Sequence, residues 1–558
     1  MALSFRPALL QIREGYCRAR LYKDVVAGMT VGVVALPLAM AFAMASGLTP
    51  QAGLITAIVA GFLISALGGS PVQIGGPAGA FIVIVYGIVS RHGVGALMVA
   101  TAMSGLMLLA MGLFRLGSLI RFIPVAVIIG FTNGIAVLIA LSQVKDLLGL
   151  NIAHMPADFM GMVRTLLSAA ASWNPHALGL AALSLVIMVL WQRISRRWSS
   201  AELRLERSLA VMPASVVALL FASGLNAWLD WPVQTVGSRF GAIEAHWPVL
   251  AWPEMHLSDV RVLLVPAATL ALLGAIESLL CARIADGLAH TRHDPNQELM
   301  AQGVANLVTP MLGGMPATGT IARTVVNVQS GASSGVSGMV HALTLAVIVG
   351  LAAPLASYIP LPTLAAILLF VAWNMGEWRE FARLKRYRLP YRLTLLAVFV
   401  LTVVVDLTVA VEVGLVAAAL TFIYRIASLS RCDAVPPEQL PLPAPGVAVF
   451  KLEGALFFGA VHLTERLQNI PQNTLVLDFS GVIYMDSSGV DTLRDLIRHF
   501  KQDQRRLILC GLAHQPLDIA QRLGLNPAML GADWQNDLAS ALHAAQDSAG
   551  SPSLKILG

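Results

Sequence analysis

The chain has 558 residues, of which 57% are hydrophobic and 12% charged, with a formal net charge of +6. A soluble domain carries about 25% charged residues, so this composition excludes an ordinary soluble enzyme or binding module and implies a polytopic membrane protein. The surplus of positive charge is no nucleic-acid footprint, because the basic residues gather at the ends of apolar runs, as the positive-inside bias predicts.

Residues 1–23 are basic (Arg6, Arg13, Arg18, Arg20, Lys23) and lead straight into a long apolar run, which reads as a cytoplasmic segment followed by an uncleaved first span. Fourteen apolar segments follow, at 25–46, 51–67, 78–90, 94–114, 120–142, 177–196, 207–228, 262–285, 298–312, 319–329, 336–355, 361–375, 391–408 and 410–428. Basic clusters follow the even-numbered ones: Arg115 and Arg121, Arg193 to Arg207, Arg283 and Arg292, Arg379 to Arg388, and Arg425 with Arg431. With the N-terminus inside, all of these are cytoplasmic. Cys17, Cys281, Cys432 and Cys510 have no CxxC or Cys/His spacing, so no disulfide framework, metal centre or cofactor is expected.

The third and tenth segments are too short to span alone, and each follows a Gly/Pro break. "GGSPVQIGGPAGAFIVIV" (Gly68 to Val85) and "GGMPATGTIARTVVNV" (Gly313 to Val328) share Gly-Gly-x-Pro, a run of small residues and a short apolar helix. Such a matched pair of interrupted segments is the mark of an inverted-repeat secondary transporter, and seven segments per half, an odd number, would oppose the two halves. Broken backbone at membrane depth survives only inside protein or beside a wet cavity. The two short helices should therefore meet near the midplane, with N-termini at Ala78 to Phe81 and Gly319 to Ile321. Unpaired N–H groups and partial positive charge at both ends form an anion trap. Arg323, about one turn into the second short helix, should face the cavity or an acidic partner. Glu277 sits in mid-span among Leu, Ala and Ile, where an ionised carboxylate is costly, and it can take up a proton as an anion binds. Asn133, His341 and Glu412 are weaker candidates, better suited to packing between helices.

The pattern turns soluble after residues 24–430. Residues 431–446 read as a Pro-rich linker and 447–545 as an α/β domain, with 546–558 a flexible tail. In that domain "YMDSSGVD" joins a strand to a helix, and Asp486 with its serines suits an N-cap.

Residues 20 to 430 resemble the SulP anion transporters, the solute carrier family 26 type, through "DVVAGMTVGVVALPLAMAFAMASG", "GGPAGAFIVIV", "GAIESLLCA" and "ATGTIARTVVNV". "YMDSSGV" after "LVLDFSG" resembles a STAS domain. The resemblance implies fourteen transmembrane segments in two inverted repeats of seven. A core (segments 1–4 and 8–11) would move like an elevator against a gate (5–7 and 12–14). Ala78, Ala80, Phe81, Gly319, Thr320 and Ile321 would then line the substrate site, with Arg323 as its basic residue. It further implies a homodimer in the bacterial inner membrane, both termini cytoplasmic, with an unidentified cytoplasmic partner for the STAS domain and Ser487 as a possible phosphosite. "LGAIESLLCA", "VAWNM", "KDLLGL" and "AHMP" are similar to the C4-dicarboxylic acid transporters, which implies uptake of succinate, fumarate or aspartate with protons. Sodium coupling is disfavoured, since Cys281 and Ile321 beside the acidic residue are poor ligands for a hard cation. A sulfate or bicarbonate carrier of the same fold, and a STAS-based sensor, remain the alternatives.

Overall fold

In the computed structural model, residues 6–9, 16–117, 124–152, 155–198, 212–241, 257–405, 407–442, 446–458, 466–525 and 533–547 are described. The predicted positions Arg13, Arg121, Arg204 and Arg207 and the tail from 548 lie outside them. Two compact units divide at Leu415/Val416.

The first unit is helical. Its elements are α1 (Arg18–Ala45), α2 (Pro50–Leu67), α3 (Ile82–Leu113), α4 (Val125–Leu148), α5 (Phe159–Ser168), α6 (Pro175–Trp198), α7 (Ala214–Leu229), α8 (Val236–Phe240), α9 (Leu257–Ala289) and α10 (Pro295–Val308). Then come α11 (Ile321–Gln329), α12 (Val336–Ala356), α13 (Leu361–Met375), α14 (Trp378–Ala382), α15 (Leu389–Val404) and α16 (Leu407–Leu429), the last crossing the division between the units. Gly93 breaks α3 with φ 82° and ψ 176°, a conformation that suits a residue without Cβ, so the third and fourth apolar segments are separate rods. Counted that way, all fourteen predicted segments are helical among the described residues, and seven helices are long and apolar enough to cross a membrane by length and composition.

The contacts repeat with a shift of seven segments. α1 packs on α12 as α9 packs on α3; α2 packs on α12 as α10 packs on α3; α4 packs on α15 as α13 packs on α6. This is the pattern two inverted repeats produce. Small residues allow close crossings. A Cβ on Gly105 of α3 would stand 2.8 Å from the Gly303 carbonyl of α10, and one on Gly303 would stand 2.8 Å from the Gly105 carbonyl. Backbones approach this closely only where side chains are absent, which is how helices associate in a solvent that gives no hydrophobic push.

Two departures from the sequence reading are local. The amphipathic α5, capped by Asp158 accepting from Gly161 N, is too short to stand out as an apolar segment. The first helix begins at Arg18, so the N-terminal segment 1–23 is partly helical.

In the second unit, β3 (Arg431–Ala434), β4 (Val447–Leu456), β5 (Thr474–Met485), β6 (Arg506–Cys510) and β7 (Trp534–Gln535) form one sheet in that order. The pairing of β3 with β4 is antiparallel and the rest parallel. The helices are α17 (Ser487–Gln502), α18 (His514–Arg522) and α19 (Leu538–Asp547). The linker 431–446 therefore needs correction: its first four residues are strand β3, whose partner Val447–Leu456 lies beyond the prolines. Asp486 caps α17 by accepting from Gly489 N at 2.9 Å, as its position predicts, and Ser487 is exposed at the first helical position.

Candidate functional site

Two extended residues precede each short helix, and they pair. Strand β1 (Gly75–Gly76) runs antiparallel to β2 (Thr318–Gly319), with Gly75 opposite Gly319 and Gly76 opposite Thr318. Polar side chains brace this ribbon because its other backbone groups have no neighbouring strand. Thr320 N donates to Ile74 O at 2.8 Å, and Ile74 N to Thr324 Oγ1 at 3.0 Å. Asn306 of α10 closes a ring with Ala317, giving Nδ2 to its carbonyl and accepting its N–H, both at 2.8 Å. Asn327 Nδ2 holds Val72 O at 2.9 Å. The two breaks are thus one structure, shared by the two repeats.

The short helices start where the ribbon ends. Gly79–Phe81 makes one 3-10 turn that runs into α3, and α11 starts after Thr320. First-turn N–H groups have no acceptor inside their own helix, so both starts present donors. Ala78, Ala80, Phe81, Gly319 and Thr320 are all buried and Ile321 is half-buried. Gly79 faces across to α1, α4 and α13: a Cβ there would meet Phe42 Cε1 at 3.5 Å, Ile139 Cδ1 at 3.7 Å and Met375 Sδ at 3.7 Å. The same helices α1, α4 and α13, with α8, line a small crevice through Ala41, Gln143, Asp146, Arg239, Leu361 and Leu368 among others, with Arg239 paired to Asp146 at 2.9 Å.

Helix α9 flanks the ribbon along Gly274 to Cys281. Thr318 Oγ1 donates to Gly274 O at 2.9 Å, Gln73 Nε2 to Ser278 Oγ at 3.0 Å, and Cys281 Sγ meets Thr324 Oγ1 at 3.2 Å. The ring of Phe81 fills the space that Gly274 leaves, its Cζ 3.3 Å from where a Cβ would stand. Glu277 therefore lies on the stretch of α9 that touches both short-helix starts, and its Oε2 is buried without a hydrogen-bond partner.

Arg323 is 1% exposed and points along the ribbon, where a Cβ on Gly76 would overlap its Nη1. Neither Nη1 nor Nη2 has a partner. Among the described residues no carboxylate pairs with it. Arg323 and Glu277 are thus separate, each with unspent polar capacity, rather than a neutral pair. A buried guanidinium with two unpaired donors beside two helix N-termini is built to accept a negative charge.

One carboxylate escapes a reading from sequence. Glu298 of α10 is fully buried, and it accepts from Gly69 N and Ser70 N at 3.0 and 3.1 Å and from Gln302 Nε2 at 2.9 Å. It bolts the start of the first break to α10. Of the weaker candidates, Asn133 and His341 are buried without partners and Glu412 is exposed.

The Sulfate permease family profile matches residues 21–398, and the STAS domain profile matches residues 443–541. The chain belongs to the sulfate permease family. YvdB of Bacillus subtilis (strain 168) is 39% identical over 92% of this chain and 95% of its own. The bicarbonate transporter BicA of Picosynechococcus sp. (strain ATCC 27264 / PCC 7002 / PR-6) is 29% identical, with 90% of each chain covered. The murine Slc26a9 anion transporter, solved in an inward-facing state, shares the fold at a TM-score of 0.86 over 97% of this chain and 94% of that one, at 17% identity. The chain is accordingly an anion transporter of this family and no enzyme, a multi-pass membrane protein with a C-terminal STAS domain.

Proposed function

We propose that the protein takes up C4-dicarboxylates (succinate, fumarate, aspartate) together with protons, by moving its anion cradle past the wall formed by α4 and α13. The observation that carries this reading is the pair of short-helix starts joined by the Gly75–Gly76/Thr318–Gly319 ribbon, with an unpaired Arg323 on one side and an unpaired Glu277 oxygen nearby. In this reading Ala78, Ala80, Phe81, Gly319, Thr320 and Ile321 line the site, the first-turn N–H groups not already spent (those of Thr320 and Phe81 are held by Ile74 O and Ala78 O) face one carboxylate, and Arg323 adds charge. Glu277 takes the proton. A carboxylate with one unpartnered oxygen, buried beside an anion, is stabilised by protonation, so anion and proton entry favour each other. The motifs shared with C4-dicarboxylic acid transporters support the substrate class. Cys281 beside Glu277 speaks against a sodium ion there, since a hard cation prefers oxygen.

The direction of coupling sets the test. Succinate uptake into proteoliposomes should rise as the outer pH falls from 7.5 to 5.5, and Glu277→Gln should cut it at least about tenfold, the scale of a lost charge-dependent contact, while leaving the melting temperature within a few degrees. Uptake indifferent to pH in the wild type would end the coupling claim. The second reading, a sulfate or bicarbonate carrier, is favoured by the relative BicA, named a bicarbonate transporter. Unlabelled sulfate or bicarbonate displacing labelled succinate at equal concentration would decide for it.

The same reading places the chain in the bacterial inner membrane as a homodimer with both termini in the cytoplasm. The STAS domain would meet a cytoplasmic partner there, with exposed Ser487 as the group a kinase could reach.

A further inference from the structure

His341 has no task in the transport reading, yet its surroundings are unusual. It lies on α12, is fully buried, and has no hydrogen-bond partner at Nδ1 or Nε2. Its ring reaches α2, where a Cβ on Gly61 would stand 3.6 Å from both Cδ2 and Nε2 and 3.2 Å from the Gly75 carbonyl. One turn earlier on α2 is Ala57, whose Cα would lie 3.6 Å from the same Gly76 Cβ that overlaps Arg323 Nη1. The imidazole and the guanidinium therefore reach one edge of the Gly75–Gly76 strand, one turn apart along α2. The positions on α2 and β1 that mark this edge, Ala57, Gly61, Gly75 and Gly76, carry no polar side chain.

The balance of this place is one-sided. Four buried nitrogens, Arg323 Nη1 and Nη2 with His341 Nδ1 and Nε2, have no hydrogen-bond partner. Leaving such groups unpaired in a dry interior is costly, and the charge on the guanidinium sets the sign of the occupant that would relieve it. We infer that Arg323 and His341 form one inner pocket under the Gly75–Gly76 strand that holds the far oxygens of a dianion (the second carboxylate of a dicarboxylate, the inner oxygens of sulfate) whose near oxygens sit at the short-helix N-termini. The inference rests on the anion cradle proposed above and makes His341 the residue that separates dianions from monoanions. Arg323 supplies the charge and the imidazole an N–H to the same carboxylate or sulfate oxygens.

Titration calorimetry on the purified full chain tests it, with succinate, sulfate and formate as probes of the wild type, His341→Ala and His341→Gln. His341→Ala should weaken the dianions about tenfold, the scale of one charge-assisted hydrogen bond, and leave formate within about twofold. His341→Gln keeps an N–H donor and should recover most of the loss, which a purely packing role would not give. Equal losses for dianions and formate, or no loss for any probe, overturn the inference and leave the pocket to water. If the wild type ignores succinate but binds sulfate with the same dependence on His341, the dicarboxylate reading fails and the pocket stands. If it binds succinate and His341→Ala changes nothing, the pocket fails and the cradle stands. A wild type that binds none of the three counts against both.

Discussion

At Gly76 a methyl group has no room. Its φ of 153° lies where side chains are rarely found, and the new carbon would fall on Arg323 Nη1. The obstructing atom is the end of a long side chain, so Gly76→Ala should displace the guanidinium more than it unfolds the protein. Anion affinity should fall at least about tenfold, while the melting temperature moves by no more than the shift that about 1–3 kcal/mol of overpacking brings. Calorimetry and a thermal melt on one preparation measure both. A large loss of melting temperature with affinity kept would mean that Arg323 does not hold the ligand. Much at this scale was legible beforehand. The small residues and Arg323 stood out because Gly, Pro and a charge inside apolar runs are conspicuous. Gln73, Thr324, Asn306 and Glu298 did not, since a polar side chain on a membrane helix does not announce which backbone group it will brace. Only the fold brings Asn306 to Ala317 and Glu298 to Gly69 and Ser70.

Among the elements, the crossing of α3 and α10 is a close contact to probe from both sides. A Cβ on either Gly105 or Gly303 would stand 2.8 Å from the other's carbonyl oxygen, and one on Gly303 would also stand 2.6 Å from Leu109 N. Both obstacles are backbone, which cannot rotate away. Gly303→Val should force the helices apart and, with α10, shift the Asn306 and Glu298 braces, lowering the yield of monodisperse protein in size-exclusion chromatography far below that of Ala301→Val control preparations. Equal yields would show that the crossing can open. The hydropathy of the chain located these helices well, because about 20 apolar residues in a row have few alternatives to crossing a bilayer. It could not show the ribbon: two paired residues on each side leave no periodicity to detect. Strand β3 hid for a related reason, since its four residues precede a Pro-rich stretch and pair only with a strand beyond it.

For the molecule as a whole, the cysteines give a test of orientation. Cys17 is exposed, while Cys281 and Cys510 are buried. Hydrogen bonds from the start of α1, first that of the Arg20 N–H, lower the Cys17 thiol, whereas burial pushes Cys510 up to about 12 and Cys432 up to about 11. The thiolate is the reactive form, so at pH 7 Cys510 stands almost wholly as the unreactive thiol. A membrane-impermeant maleimide should label Cys17 within minutes in inside-out vesicles and spare it in right-side-out ones, with Cys510 silent in both. Raising the pH should increase labelling of Cys432 before Cys510, because the lower of the two values is reached first. Labelling of Cys17 from the outer face would reverse the assigned topology.

The ribbon ties one repeat to the other backbone to backbone, through Gly75 with Gly319 and Gly76 with Thr318. On the elevator reading proposed above, a receptacle riveted in this way is carried whole rather than prised open on one face. The combined gradients of anion and proton would then set the direction of net flow, so a cell that reversed them would empty itself through the same protein that fills it.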